Sequence, residues 1–242
     1  MGTPEYLYHY TSVQSLAMIL SSRTMRFSPL TVLDDLQEAQ TADVAEIGRS
    51  VYISSWTSED KESIPMWNMY SGMDSGIRIK ALALPFEGWN QETNQFSGYT
   101  MWTQDIHLFP QDLEEVIYSD DRGHLYPQIQ LDDRGSLCQK DLGKYKSTAW
   151  EFQKEWRHII RMWPGPSFDE LLNQDVQSAY KKFATLLNPY MYLRITDEAF
   201  EKLEITLSPK ITEGNRVIVD ALKEKHCPSL EIRESELYNL IR

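Results

Sequence analysis

The chain has 242 residues, a formal net charge of −12 and 12% aromatic side chains. This length favours a single domain over residues 1–242. The acidic balance excludes the basic surface of a general DNA- or RNA-binding protein, so protein or small-molecule partners are favoured over nucleic acid. No stretch approaches the roughly 20 apolar residues that span a bilayer, and no secretion signal opens the chain, which predicts a protein that does not enter a membrane.

The two cysteines, Cys138 and Cys227, lie in unrelated contexts without metal-ligand spacing. They indicate reduced thiols and a cytoplasmic location. No HExxH, CxxC or DxDxDG pattern occurs, so no metal site is predicted, and a glycine-rich nucleotide loop and a GxSxG serine elbow are also missing.

The first third of the chain alternates short strands with helices. Residues 6–10 predict a strand, and Thr11 or Ser12 then caps a helix with apolar residues at helical spacing. Strands are predicted for 25–28, 51–57 and 76–84, and helices for the acidic segment 34–47 and for 64–70.

The remainder is less regular. Residues 85–138 mix turn formers with short apolar runs and have no assigned elements, so a middle insertion over about 85–140 is expected. Residues 149–162 fit a strand or a helix equally, whereas 168–187 and 214–225 predict helices and 203–207 and 230–232 predict strands. Short strands with segregated helices indicate the α+β class.

Two segments in the first third carry candidate ligand-binding side chains. The first is Tyr8-His9-Tyr10-Thr11, where a strand meets a helix; a histidine and a hydroxyl there can bind a ribose, although a lone histidine is more often structural. The second joins the strand at 51–57 to the aromatic helix at 64–70 and could form a slot for a planar ring, or equally a packed core.

A third segment, Trp150-Glu151-Phe152-Gln153-Lys154-Glu155-Trp156-Arg157, combines an amide, a carboxylate and a guanidinium. As a strand it would place Gln153, Glu155 and Arg157 on one face. A carboxylate beside an amide can bind a sugar hydroxyl and stabilise the positive charge of a breaking glycosidic bond, but a surface ion pair is the plainer interpretation. Basic residues from Lys140 to Arg161 could hold a phosphate or form a solvated face.

Four segments in this order resemble a bacterial family, domain of unknown function 2971. They are YLYHYTS, MRFSPLTVLDDLQE, the serine-bearing strand followed by PMWNMYSG, and WEFQKEWRHII, and together they span about residues 6–235. The chain departs from the family pattern in two places. Asp35 and Glu38 keep its acids but an Asn-Pro pair is missing, and Gln153 stands where the family has a first Glu.

That family is in turn similar to the ADP-ribosyltransferase fold, which implies split antiparallel sheets with flanking helices and NAD as the substrate. By this resemblance His9 and Thr11, with Tyr10 beside them, hold the ribose on the adenine side. Arg26 or Arg157 binds the pyrophosphate.

The same resemblance assigns the nicotinamide end of NAD. Tyr52 or Tyr70 stacks on the nicotinamide ring, Trp67 belongs to the wall of that slot, and Ser54 fixes the nicotinamide ribose.

Glu155 is the implied catalytic residue, which stabilises the transition state as nicotinamide leaves, and Gln153 orients a protein or small-molecule acceptor. A bacterial toxin or phage-defence role would suit such an enzyme. Two alternatives stay open, a non-catalytic nucleotide- or protein-binding module and an NAD glycohydrolase.

Overall fold

The computed structural model describes residues 2–87, 102–103, 113–130, 138–163 and 176–241. A mixed sheet with flanking helices, compatible with the α+β class, organises these residues. Within them, no helix combines the length and the apolar character needed to cross a membrane.

The strands are β1 (Tyr6–Ser12), β2 (Thr24–Pro29), β3 (Val51–Thr57), β4 (Gly76–Leu82), β5 (Trp102–Thr103), β6 (Leu113–Glu115), β7 (Ile117–Tyr118), β8 (Tyr145–Lys146), β9 (Glu155–Trp163), β10 (Met191–Arg194), β11 (Glu204–Leu207) and β12 (Glu231–Arg233). The main sheet runs in the order β10-β2-β3-β1-β4-β11-β12, and β9 pairs with β3, β5 and β6. A separate parallel pair joins β7 to β8.

Short helices connect and cover these strands. They are α1 (Val13–Ser22), α2 (Ile64–Met66), α3 (Arg122–Leu125), α4 (Val176–Leu186), α5 (Asp197–Glu201) and α6 (Glu213–His226). Ser12 caps α1 by accepting from the Ser15 N–H, as one of the two predicted caps. A turn of π-helix, Trp67–Ser71, continues α2, and a 3-10 helix, Thr148–Gln153, precedes β9.

Strand β3 lies where the sheet divides. Along one edge it pairs with β9 from Val51 opposite Arg161 to Thr57 opposite Glu155. Along its other edge it pairs with β2 only at Tyr52 and Ile53 and with β1 only at Thr57. The two partners therefore separate from β3 in opposite directions, and a gap opens beside the middle of the strand.

The helix predicted for 34–47 is wrong, because that segment forms turns and a 3-10 helix begins only at Ile47. Its side chains bind backbone groups in place of a helical ladder. Asp35 accepts from the Gln37 N–H, Thr41 accepts from the Val44 N–H, and Asp43 accepts from the backbone of Ile129 and Gln130.

Other observed elements also differ in their boundaries from the predicted ones. Residues 149–162 are neither one strand nor one helix, because Lys154 adopts a left-handed conformation with φ 45° between the 3-10 helix and β9. The helix predicted at 168–187 is observed over Val176–Leu186, and the predicted part at 168–175 lies outside the described residues. The prediction missed β10 and α5. From the expected insertion, β5 and β6 extend the main sheet beside β9.

Candidate functional site

A cleft with about 540 Å³ of empty space, including its solvent-open mouth, lies at the gap beside β3. Its walls come from β1, β3, the π-helix and the start of β9. The mostly apolar or aromatic lining side chains are Tyr8, Tyr10, Leu33, Trp56, Met66 and Tyr70. The polar lining residues are His9, Asp34, Ser55, Lys146, Gln153, Glu155 and Arg157. This combination suits a ligand with both a ring and polar groups.

Arg157 and Glu155 form a bidentate pair at the floor of the cleft. The Nε of Arg157 lies 2.7 Å from Glu155 Oε1, and Nη2 lies 2.9 Å from Oε2. Nη1 donates to the carbonyl of Gly143 at 2.9 Å. Gly143 has φ +79°, a conformation that favours glycine, so the residue type at this turn supports the contact.

Two further charges complete this cluster. Glu38, from the loop after β2, pairs with Arg157 and lies 3.2 Å from the Nζ of Lys146. Lys146 in β8 also lies 3.2 Å from Glu155 Oε2. All four side chains are at least nine-tenths buried, so the two acids and two bases neutralise each other away from water. We call these four residues the ion cluster.

The ion cluster favours the charged forms of Glu155 and Arg157. Burial alone would raise the pKa of Glu155, but the positive charges of Arg157 and Lys146 outweigh it and lower that pKa below the ordinary value. Burial would lower the pKa of Arg157, whereas Glu155 and Glu38 together raise it. Glu155 is therefore an ionised carboxylate in the wall of a partly enclosed cleft.

Gln153 and Glu155 both line the cleft, although Gln153 ends the 3-10 helix and is not part of the strand that the sequence suggested. The left-handed Lys154 between them redirects the chain so that the two side chains converge. Such a conformation costs about 1 kcal/mol or more in a residue with a Cβ, and it lies here beside the cluster of polar groups.

His9 bridges the gap between β1 and β3. Its Nδ1 lies 2.8 Å from the carbonyl oxygen of Ser55, which can only accept, so Nδ1 carries the hydrogen. Burial and, more weakly, the charge of Arg26 lower the pKa of His9. The ring is accordingly neutral near pH 7, and its Nε2 is an acceptor.

The loop after β3 supports the aromatic wall. Asp60 accepts the hydroxyl of Tyr8, and the Ser63 N–H donates to the hydroxyl of Tyr10 at 3.0 Å. Behind them, the Arg78 guanidinium lies 3.9 Å from the centre of the Tyr8 ring. These contacts fix two aromatic rings before any ligand is bound.

Three residues expected at the nicotinamide end do not line the cleft. Tyr52 is in the core and donates its hydroxyl to the Asn188 carbonyl at 2.6 Å. Ser54 is buried and accepts from the Trp56 indole at 3.0 Å, and the neighbouring Ser55 lines the cleft instead. Trp67 is fully buried and donates to Glu62 at 2.8 Å.

Thr11, expected at the adenine-side ribose, and Arg26, a candidate for binding the pyrophosphate, also lie elsewhere. Thr11 is buried in β1 outside the cleft lining. Arg26 is exposed in β2, with its guanidinium 4.7 Å from the centre of the Tyr190 ring. Of the predicted site residues, the cleft brings together His9, Tyr10, Tyr70, Gln153, Glu155 and Arg157.

Three of the six lysines and arginines at 140–161 are buried and already paired. Lys146 and Arg157 belong to the ion cluster, and Arg161 pairs with Glu114 and donates to backbone carbonyls. The interpretation of Glu155 as a surface ion pair is wrong, since its side chain is buried. The cleft lining also includes seven residues that carried no individual assignment in the prediction: Tyr8, Leu33, Asp34, Ser55, Trp56, Met66 and Lys146. The aromatic content of 12% is compatible with a ring-lined cleft but does not identify which rings form it.

Comparison of the chain with protein-family models, with curated proteins and with solved structures gives no match. Among the described residues, no group of three or more His, Cys, Asp or Glu side chains is arranged to hold a metal ion.

Proposed function

We propose that the protein is an NAD-dependent ADP-ribosyltransferase-like enzyme that cleaves the nicotinamide glycosidic bond and transfers ADP-ribose to a protein or small-molecule acceptor. One observation carries the proposal: Glu155 is an ionised carboxylate in the wall of a cleft that is also lined by aromatic rings. The division of the sheet at β3 supports a split-sheet, ADP-ribosyltransferase-like architecture.

In this reaction nicotinamide leaves with the electron pair of the glycosidic bond, and positive charge develops on the ribose carbon. The Glu155 carboxylate stabilises that charge and accepts a hydrogen bond from the ribose hydroxyl. The ion cluster holds two acids and two bases, and Asp34 at the exposed rim of the cleft adds one further negative charge near it. Preorganised charge of this kind contributes about 3 to 4 kcal/mol in enzymes.

A second groove would let an acceptor approach the ribose carbon beside Glu155. A groove with about 1000 Å³ of empty space, including open solvent at its mouth, adjoins the cleft and shares Tyr10, Met66 and Gln153 with it. An acceptor in this groove would meet the amide of Gln153, and its nucleophilic atom would form the new bond to the ribose carbon. Water in that place would make the enzyme an NAD glycohydrolase.

A second candidate function rests on the same carboxylate. Both oxygens of Glu155 are already engaged by Arg157, and Oε2 also lies near Lys146. A carboxylate so fully paired favours a non-catalytic nucleotide- or protein-binding module. In that case NAD would raise the melting temperature of the protein by mass action without turnover.

The deciding experiment measures nicotinamide release from NAD by the wild-type protein and by Glu155→Gln, with and without a cell lysate as the source of acceptor. We expect the variant to lose about a hundredfold to a thousandfold in rate. Glu155→Ala is a poorer choice because it would leave Arg157 and Lys146 with less compensation. Glu151→Gln is the matched control, since Glu151 is exposed in the preceding 3-10 helix.

The lysate arm separates the candidates. Release that depends on lysate supports transfer, and release without it supports hydrolysis. No release by a folded wild-type protein, with NAD still raising its melting temperature, would overturn the enzymatic proposal in favour of the binding module.

A further inference from the structure

The contact with Lys146 determines which way the side-chain amide of Gln153 is oriented. The Nζ of Lys146 lies 2.8 Å from Gln153 Oε1. A lysine ammonium has hydrogens to donate and no lone pair to offer, so the atom that faces it must be the amide oxygen. Lys146 is itself held in place by Glu38 and Glu155, each 3.2 Å away.

The amide nitrogen of Gln153 therefore points in the other direction, where it donates to the hydroxyl oxygen of Tyr70. Because that oxygen accepts from Gln153, the hydrogen of Tyr70 must be directed elsewhere. No acceptor for it is found among the described residues. Tyr70 lines the cleft, and burial together with the negative charges of Asp34, Glu155 and Glu38 raises its pKa, so the hydroxyl stays protonated.

We propose that Lys146, Gln153 and Tyr70 form a directional hydrogen-bond relay in which each group donates to the next, and that Tyr70 donates its O–H to an oxygen of the bound ligand. Lys146 is the positioning residue of this relay, because its contact selects the orientation of the amide. On the function proposed above, the ligand is NAD, and the oxygen belongs to its carboxamide or to a ribose hydroxyl.

The relay differs from stacking in what it requires of Tyr70. A stacking role needs only the ring, which phenylalanine retains. A donor role needs the hydroxyl and the amide that orients it, so the two side chains should act as one unit.

The relay is tested first without ligand, by the side-chain amide NMR signal of Gln153 in ¹⁵N-labelled protein, assigned through its loss in Gln153→Met. We expect Tyr70→Phe and Lys146→Met each to shift this signal, and Lys146→Arg to restore a donor to the amide oxygen. Tyr52→Phe is the matched control, since it removes a hydroxyl bonded to a backbone carbonyl outside the cleft. A Gln153 signal that is indifferent to Tyr70→Phe would overturn the relay.

The second arm measures the Kd for NAD. We expect Tyr70→Phe and Gln153→Met each to weaken binding about tenfold, and the double variant to bind no more weakly than either single variant. Tyr52→Phe should bind as the wild type does. Multiplicative losses in the double variant, or full affinity in Tyr70→Phe, would overturn the donor role.

The two arms separate the relay from the proposed function. A wild-type protein that does not bind NAD would overturn the function and the assignment of NAD as ligand, whatever the amide signal shows. A protein that binds NAD but whose Gln153 signal ignores Tyr70 would leave the function standing without the relay.

Discussion

Two arginines of this protein have similar partners and opposite surroundings. Arg157, in the ion cluster, is fully buried and makes a bidentate contact with Glu155. Arg216, on α6, contacts Glu234 through two nitrogens, but its side chain is 30% exposed and that of Glu234 is 52% exposed. By the number of nitrogen–oxygen contacts alone, the two ion pairs are alike.

The difference teaches that burial, and not the number of contacts, decides what an ion pair contributes. Water solvates an exposed arginine whether or not its partner is present, so the exposed pair adds little stability. In the ion cluster each charge is compensated almost entirely by protein groups. Removing one partner there leaves the others uncompensated in a low-dielectric environment.

The largest expected effect is that of Arg157→Met. This change leaves Glu38 and Glu155 with Lys146, whose Nζ lies 3.2 Å from each carboxylate. We expect the free energy of unfolding to fall by about 3 to 5 kcal/mol, measured by urea denaturation at pH 7. A loss below about 1 kcal/mol would show that water replaces the guanidinium and that the floor of the cleft is not sealed.

Glu62 is an intermediate case, a buried carboxylate bound by neutral donors. It accepts from the Trp67 indole at 2.8 Å, from the Ser235 hydroxyl at 2.6 Å and from the Glu236 N–H at 2.7 Å. Glu62→Gln should cost about 1.5 to 3 kcal/mol, because it removes the charge and turns an amide nitrogen toward donors.

The same substitution should free the C-terminal segment, since two of the three contacts of Glu62 hold it. Limited proteolysis is expected to cut near Ser235 faster in Glu62→Gln than in the exposed control Glu59→Gln. Equal cutting rates in both variants would contradict an anchoring role for Glu62.

Much of the secondary structure could be predicted because its periodicity is local. The strand at 51–57 needed only its β-branched and aromatic residues, and the capped helix after Ser12 needed only helical spacing and a cap. The turns at 34–46 could not be predicted in this way, because Asp43 binds the backbone of Ile129, which is far away in sequence. A polar residue that caps a distant segment has the same local signature as one on an acidic helix.

The cleft shows the same limit. Strand β3 is buried on both faces, so alternation could not tell Ser54 from Ser55 as the residue that faces the cleft. Lys146 looked like part of a solvated charged stretch because its partner Glu38 is more than 100 residues away along the chain. The amide, carboxylate and guanidinium at alternate positions singled out Glu155, but from these residues alone a surface ion pair was the plainer interpretation.

A smaller effect is expected from pH, through His9 between the two strands. Its pKa is lowered in the folded protein, from an ordinary value of 6.5, so the unfolded chain binds a proton more readily. The free energy of unfolding should therefore be greatest above pH 6.5 and fall as the pH drops below it, by at most about 1.4 kcal/mol per pH unit.

Urea denaturation of wild type and His9→Asn between pH 7.5 and about 5 would measure this. Asparagine keeps an N–H for the Ser55 carbonyl and cannot titrate, so its curve should be flatter in that window. Glu155, whose pKa is lowered, affects stability only at lower pH, as the solution falls below the ordinary glutamate value of 4.5. Parallel curves for both proteins would contradict the role assigned to His9.

The smallest expected effect completes the comparison of the two arginines. Arg216→Met removes the pair with Glu234 and the longer contact with Glu213, at 4.0 Å, but both carboxylates stay at least half exposed to water. We expect a loss of about 0 to 1 kcal/mol in the free energy of unfolding, which shrinks further when salt is added. Because Arg157→Met makes the same chemical change, the difference between the two losses isolates the effect of burial, and equal losses would refute it.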